Sequence, residues 1–192
     1  MKSSDNLVSC GEEETGLVAE GFIQKVLSAS GTFYCSRVQY FRQYAEHNHN
    51  KTRDFIDDSF CIGQYRVIMC SSAVDCMEYE FSRVNFAAAT FLLVVLPPKE
   101  PLPLPQRNGY YLIVDAFETL KEARNLIDYL KTRFVYHLVS WRCIKGLDKT
   151  IFTRVPVLNF NEKWTGSKLY AKYGLSENEI AFVNSKIRPM KA

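Results

Sequence analysis

Leu120, Ala123, Ile127, Leu130, Phe134 and Leu138 recur at steps of three and four, directly behind the apolar run Tyr110–Asp115. That is the helical period. It sends one face into a core and leaves Lys121, Arg124, Asp128 and Lys131 on the other. Thr119 and Glu122 stand just ahead of the stripe at capping-box spacing, the hydroxyl meeting a free amide while the carboxylate reaches back. The pattern predicts a strand, a loop and one long helix from Tyr110 to about Trp141.

Two other segments read as strands, Tyr65–Cys70 and Phe91–Leu96, both rich in β-branched or large apolar residues. The run Phe86–Leu96 is the longest apolar stretch. It is too short to span a bilayer and ends in prolines, so it is expected to be a buried strand and no membrane segment is expected. From Pro97 to Pro105 proline is dense enough to remove the donors a sheet needs, which predicts an exposed polyproline-like connector closed by an Asn108-Gly109 turn. Nearer the end, Ser167 is placed to cap Lys168–Tyr173, with Gly174 as a left-handed stop. Ser176 and Glu179 make a second capping box, opening a helix that carries Ile180, Val183 and Ile187 on one side.

A chain of 192 residues with 47% hydrophobic and 14% aromatic residues has enough apolar material for one sizeable core. Residues 1–30 read as an acidic N-terminal extension, partly helical at Leu17–Leu27, and 31–192 as one domain. There is no internal repeat. Cys10, Cys35, Cys61, Cys70, Cys76 and Cys143 show neither CxxC pairing nor a preceding signal peptide, so free and mostly buried thiols in a reducing cytoplasm are expected.

Net charge is only +3, and its distribution is more telling than its size. Between Met1 and Glu20, Lys2 faces Asp5, Glu12, Glu13, Glu14 and Glu20, a net of −4. Between Lys121 and Arg154, Lys121, Arg124, Lys131, Arg133, Arg142, Lys145, Lys149 and Arg154 face Glu122, Asp128 and Asp148, a net of +5. A basic segment in a near-neutral chain fits a localised phosphate-binding face, although a solvated helix face carries the same signature. Arg37, Tyr40, Arg42, Tyr44 and Arg66 mix bases with aromatics upstream. They suit phosphate and base-edge contacts, or equally aromatics in a core with arginines laid over them.

Catalytic chemistry is not legible. No GxG occurs, so no nucleotide-binding or S-adenosylmethionine loop is recognisable. Asp54, Asp57 and Asp58 cluster, as do Glu78 and Glu80, without the acidic-x-Lys partner of a metal nuclease. His47 and His49 sit in the polar run Glu46–Thr52 and are read as solvated, and His137 as a packed or surface histidine rather than a base. No catalytic residue, cofactor or metal site is therefore expected.

From Gly109 to Met190 the chain resembles the closing segment of the large Type II/III-like adenine-specific DNA methyltransferases of restriction-modification systems. The stretches that carry the likeness include Tyr111-Leu112-Ile113-Val114, Tyr129-Leu130-Lys131-Thr132-Arg133-Phe134 and Val155-Pro156-Val157-Leu158-Asn159-Phe160. The tail is the most distinctive part: Trp164-Thr165, then Lys168-Leu169-Tyr170-Ala171-Lys172-Tyr173-Gly174-Leu175, then Glu179-Ile180-Ala181-Phe182-Val183. Upstream the likeness thins to Gln64-Tyr65-Arg66-Val67-Ile68. In that family the region is similar to a target-recognition domain that reads duplex DNA beside a separate catalytic domain.

The resemblance implies an α/β (α+β) fold: a single mixed sheet, a long helix after a strand, and short C-terminal helices. It also implies a duplex-DNA partner. It transfers no catalytic residue, because Leu96-Pro97-Pro98-Lys99 lacks both the polar residue and the aromatic with which such enzymes hold a flipped adenine. The chain starts at its own Met1, which suggests a free-standing module of a bacterial or phage protein in the bacterial cytoplasm. Its expected contacts are Arg37, Arg42 and Arg66 towards the groove and the eight bases of Lys121–Arg154 along the backbone. The alternative is an inhibitor that docks on a methyltransferase or on a subunit of a host defence complex.

Overall fold

The computed structural model describes residues 24–26, 39–42, 61–70, 78–86, 89–100, 110–140 and 151–186, with backbone alone for Gln39–Arg42, Tyr110, Tyr111 and Lys186. The fold is mixed α/β. Five strands, β1 (Gln39–Arg42), β2 (Tyr65–Cys70), β3 (Phe81–Phe86), β4 (Ala89–Leu96) and β5 (Tyr110–Phe117), form one sheet in the order β1-β5-β2-β4-β3. Among the described residues four helices follow: α1 (Leu120–Leu130), α2 (Arg133–Ser140), α3 (Gly166–Lys172) and α4 (Glu177–Lys186). Residues 24–26 add one helical turn.

The expected mixed sheet is antiparallel in every described ladder. β2 lies at its centre, Ile68 standing opposite Val94 on one side and Ile113 on the other. In the β2–β5 ladder Val67 opposes Asp115 while Ile68 opposes Ile113, so Val114 is an extra residue and β5 bulges there. β3, which sequence reading did not anticipate, forms a hairpin with β4 and divides the apolar run that begins at Phe86.

Both sheet faces are buried. Val67, Met69, Val84, Leu93, Leu112 and Val114 face the helices, while Ile68, Cys70, Leu92, Val94, Leu96 and Ile113 form a second cluster on the other face, flanked by Tyr79 and Phe81. This is why Tyr65–Cys70 and Phe91–Leu96 are near-continuous apolar runs instead of alternating ones.

The capping box of Thr119 and Glu122 opens α1, as its spacing predicts. The predicted single helix is broken after Lys131, however. Thr132 Oγ1 accepts from the Val135 amide at 3.3 Å and donates to the Tyr129 carbonyl at 2.7 Å, ending one helix and capping the next. The apolar stripe survives the break, since Leu130, Phe134 and Leu138 are all fully buried.

α1 also anchors the following irregular segment. Asn125 donates its side-chain amide to the Phe160 carbonyl at 2.8 Å, and Tyr129 its hydroxyl to the Pro156 carbonyl at 2.9 Å. Rings complete the helical layer: Phe160 lies edge-on to Phe117, Phe86 edge-on to Phe152, and Phe134 stacks on Tyr173 at 5.1 Å.

At the C-terminal end the cap of α3 is Thr165, whose hydroxyl accepts from the Lys168 amide, and Ser167 is the second residue of the helix, exposed in its first turn. The choice follows the backbone, because Thr165 is extended as a cap residue must be. Gly174 ends the helix at φ 60°, as expected, and the Ser176–Glu179 box opens α4. Within the proline-rich stretch, Pro97–Glu100 forms a turn and not an extended rod. Lys99 takes a left-handed φ of 67° and donates its amide to the Ile62 carbonyl, docking this turn on the one at 61–64. Residues 101–109 lie outside the described set. No helix among the described residues is long and apolar enough to cross a membrane.

Candidate nucleic-acid interface

With its stripe seated on β2, β4 and β5, α1 turns Lys121 and Arg124 to solvent and leaves Asp128 and Lys131 half-buried at the margin. Arg124 grips Glu80, its Nε lying 3.0 Å from both carboxylate oxygens and its Nη2 2.7 Å from one. Both side chains are about half exposed, at 55% and 51%, so water screens the pair and it contributes little to stability. Lys131 Nζ donates to Ser82 Oγ at 3.3 Å.

The remaining expected contacts fall in several places. Arg133 is half-buried and donates to Asn184 Oδ1 at 2.8 Å, joining α2 to α4, and Arg154 is half-buried beside Val155. Arg66 requires a correction. On the central strand it is 0% exposed, and its Nη2 donates to the Glu100 carbonyl, so it props the Pro97–Glu100 turn from inside and cannot face a groove. Arg42 stands on β1 opposite Tyr110, its side chain outside what is described. Arg37, Arg142, Lys145 and Lys149 lie outside the described residues altogether.

Sequence reading missed a second basic cluster beyond Arg154. Trp164 is half-buried against the helical core and fixed by its Nε1, which donates to the Asn159 carbonyl at 2.9 Å. Lys168 and Lys172 place their ammonium groups over its ring, 6.0 and 5.5 Å from the centroid. Lys163 bonds Asp128 of α1 at 2.6 Å, and Lys168 bonds Glu162 at 3.1 Å. The Lys163–Asp128 pair ties this cluster to the outer face of α1, so the two basic surfaces are contiguous. Among the described residues no carboxylate pairs with Lys172. The signal was present as Trp-x3-Lys-x3-Lys, a four-residue spacing that begins in a loop and continues into α3.

The described titratable groups offer little for catalysis. His137 is buried and meets Phe182 edge-on at 5.5 Å, and burial lowers its pKa to about 4, so it is neutral at pH 7. Burial first, then the charges of Asp115 and Glu118, raises the Cys61 thiol against the opposing pull of Arg66, which disfavours a thiolate. Cys61 carries a free thiol. Among the described residues no group of three His, Cys, Asp or Glu side chains is placed to hold a metal ion. Asp54, Asp57, Asp58, His47 and His49 lie outside the described set, and Glu80 is engaged by Arg124.

No family model, no curated protein and no solved structure matches this chain.

Proposed function

We propose that this domain is a non-catalytic DNA-binding specificity module of a bacterial or phage protein, holding duplex phosphates on the outer face of α1 and on the lysine cluster beside it. The observation that carries the reading is the continuity of those surfaces. Lys121 and Arg124 on α1 and Lys163, Lys168 and Lys172 beyond it are all exposed, and the Lys163–Asp128 bond holds the two groups side by side. Lysines and arginines gathered on one face are what a phosphate backbone selects, because each contact releases condensed counterions. The likeness of the back half to methyltransferase target-recognition segments points the same way.

Labelled duplexes titrated at two salt concentrations test it. With about four phosphate contacts, affinity falls about a hundredfold between about 50 and 200 mM salt. Lys121→Glu combined with Lys172→Glu lowers affinity for every duplex sequence and flattens the salt slope. Salt-independent binding, or none to a random duplex pool, overturns the proposal.

A second reading, docking on a methyltransferase or a host defence-complex subunit, draws on one observation. Arg124, Lys163 and Lys168 are already paired with Glu80, Asp128 and Glu162, so this face is less cationic than its count of bases suggests. Capture of a defined defence subunit, undiminished by the two charge reversals, favours that reading over DNA binding.

A further inference from the structure

Trp164 is a half-buried aromatic at the edge of the basic face, and phosphate binding leaves it unused. We propose that its ring is a stacking platform for an unpaired nucleobase, with Lys168 and Lys172 taking the phosphates on either side. The inference rests on the reading of this face as a nucleic-acid surface and specifies what part of the nucleic acid this corner takes.

Three observations support it. First, the ring is rigidly presented: the core backs it, and the bond to the Asn159 carbonyl fixes its rotation. A platform fixed in advance loses little freedom when a base settles on it. Second, the cations over the ring sit at 5.5 and 6.0 Å, near the outer limit of cation–π attraction. Both belong to long, exposed side chains within reach of a phosphate: Lys172 can swing aside at small cost, and Lys168 by giving up its screened surface bonds to Glu162 and the Lys163 carbonyl. Third, the charge of Lys172 is not spent locally, since no described carboxylate pairs with it, while Lys168 shares its own with the exposed Glu162. A flat aromatic flanked by displaceable ammonium groups matches a ligand with a π-face and anionic flanks, which is a nucleotide. A base inside a duplex presents no free face, so the site selects a bulged, frayed or single-stranded position.

The test compares a short duplex carrying one bulged purine with the same duplex fully paired, by fluorescence anisotropy. The wild-type protein binds the bulged duplex about tenfold more tightly, the contribution of one stacked base. Trp164→Ala abolishes the preference while leaving the paired duplex bound as before, and Trp164→Phe retains most of it. Because truncating a half-buried ring can loosen the fold, emission quenching is read in a Trp141→Phe background, where Trp164 is the remaining tryptophan. Quenching by the bulged duplex alone supports the platform. Equal, salt-sensitive binding of both duplexes without differential quenching overturns this inference and leaves DNA binding standing. Failure of both duplexes to bind overturns the two together.

Discussion

Lys25 Nζ meets Glu179 Oε2 at 2.8 Å across 154 positions of sequence, tying the helical turn at 24–26 to the cap of α4. The same carboxylate oxygen accepts from the Ser176 amide at 2.7 Å and its hydroxyl at 2.8 Å. Burial works to raise the Glu179 carboxyl, but the bonds from Lys25 and Ser176 and the charge of Lys25 outweigh it, leaving the group below its ordinary value. A depressed carboxylate stabilises the fold above its unfolded pKa, and that contribution disappears as pH falls through the lower folded value. Glu179→Ala is expected to cost about 1–2 kcal/mol near neutrality by urea unfolding and much less at acid pH. Lys25→Met, losing a partner that is 44% exposed, costs under about 1 kcal/mol. Equal costs at both pH values would refute the assignment.

His137 gives a pH dependence in a higher window. Its folded pKa of about 4 lies below the ordinary 6.5 because burial disfavours the imidazolium. Between those values the unfolded chain binds a proton that the native state refuses, so stability is complete above about pH 6.5 and declines towards about pH 4. At the usual cost per pKa unit the loss approaches about 3 kcal/mol. His137→Gln should flatten this part of the stability–pH curve. An imidazole resonance for His137 that titrates near 6.5 in the folded protein would contradict the argument.

Asn125 and Tyr129 are the side chains by which α1 holds the segment that leads to Trp164. Tyr129 is fully buried and its hydroxyl meets the Pro156 carbonyl, so Tyr129→Phe leaves a buried acceptor without that donor while keeping the ring contacts. The expected cost is about 1–3 kcal/mol, and Asn125→Ala should cost a similar amount through the Phe160 carbonyl. If segment 156–164 is positioned by these bonds, Tyr129→Phe also weakens any Trp164-dependent binding. Unchanged stability in both variants would show that solvent replaces the bonds.

What the sequence disclosed was what depends on neighbours along the chain. The boxes at Thr119–Glu122 and Ser176–Glu179 and the left-handed Gly174 are local chemistry, and each stands where the spacing places it. The break at Thr132 was hidden because Leu130 and Phe134 keep the helical step across it, and only the threonine hydroxyl marks the stop. β3 was hidden because six residues of partial alternation are a weak signal, and Glu78 and Glu80 beside it invited a chemical reading. Arg66 was misplaced for a different reason. Its burial depends on β2 being the central strand, and sheet order is not written in any local pattern. At the candidate interface α1 was legible as an outward basic face, whereas the Trp164 cluster required the fold to bring Lys163 against Asp128.

Glu80 offers the sharpest test of whether the outer face of α1 serves phosphates. Its carboxylate takes bonds from both Nε and Nη2 of Arg124, with each partner about half exposed. A screened surface pair contributes little to folding, so Glu80→Gln should leave the urea-unfolding midpoint essentially unchanged. In the folded protein the substitution frees a guanidinium and removes a negative charge from the interface at once. A phosphate-binding face then gains one contact: affinity for duplex DNA rises, and the slope of log affinity against log salt steepens by about one. Arg124→Gln moves both quantities the opposite way. A protein-docking face that uses the Arg124–Glu80 pair as it stands predicts the reverse for Glu80→Gln, a loss of binding with little change in salt dependence. The sign of that one response separates the two readings.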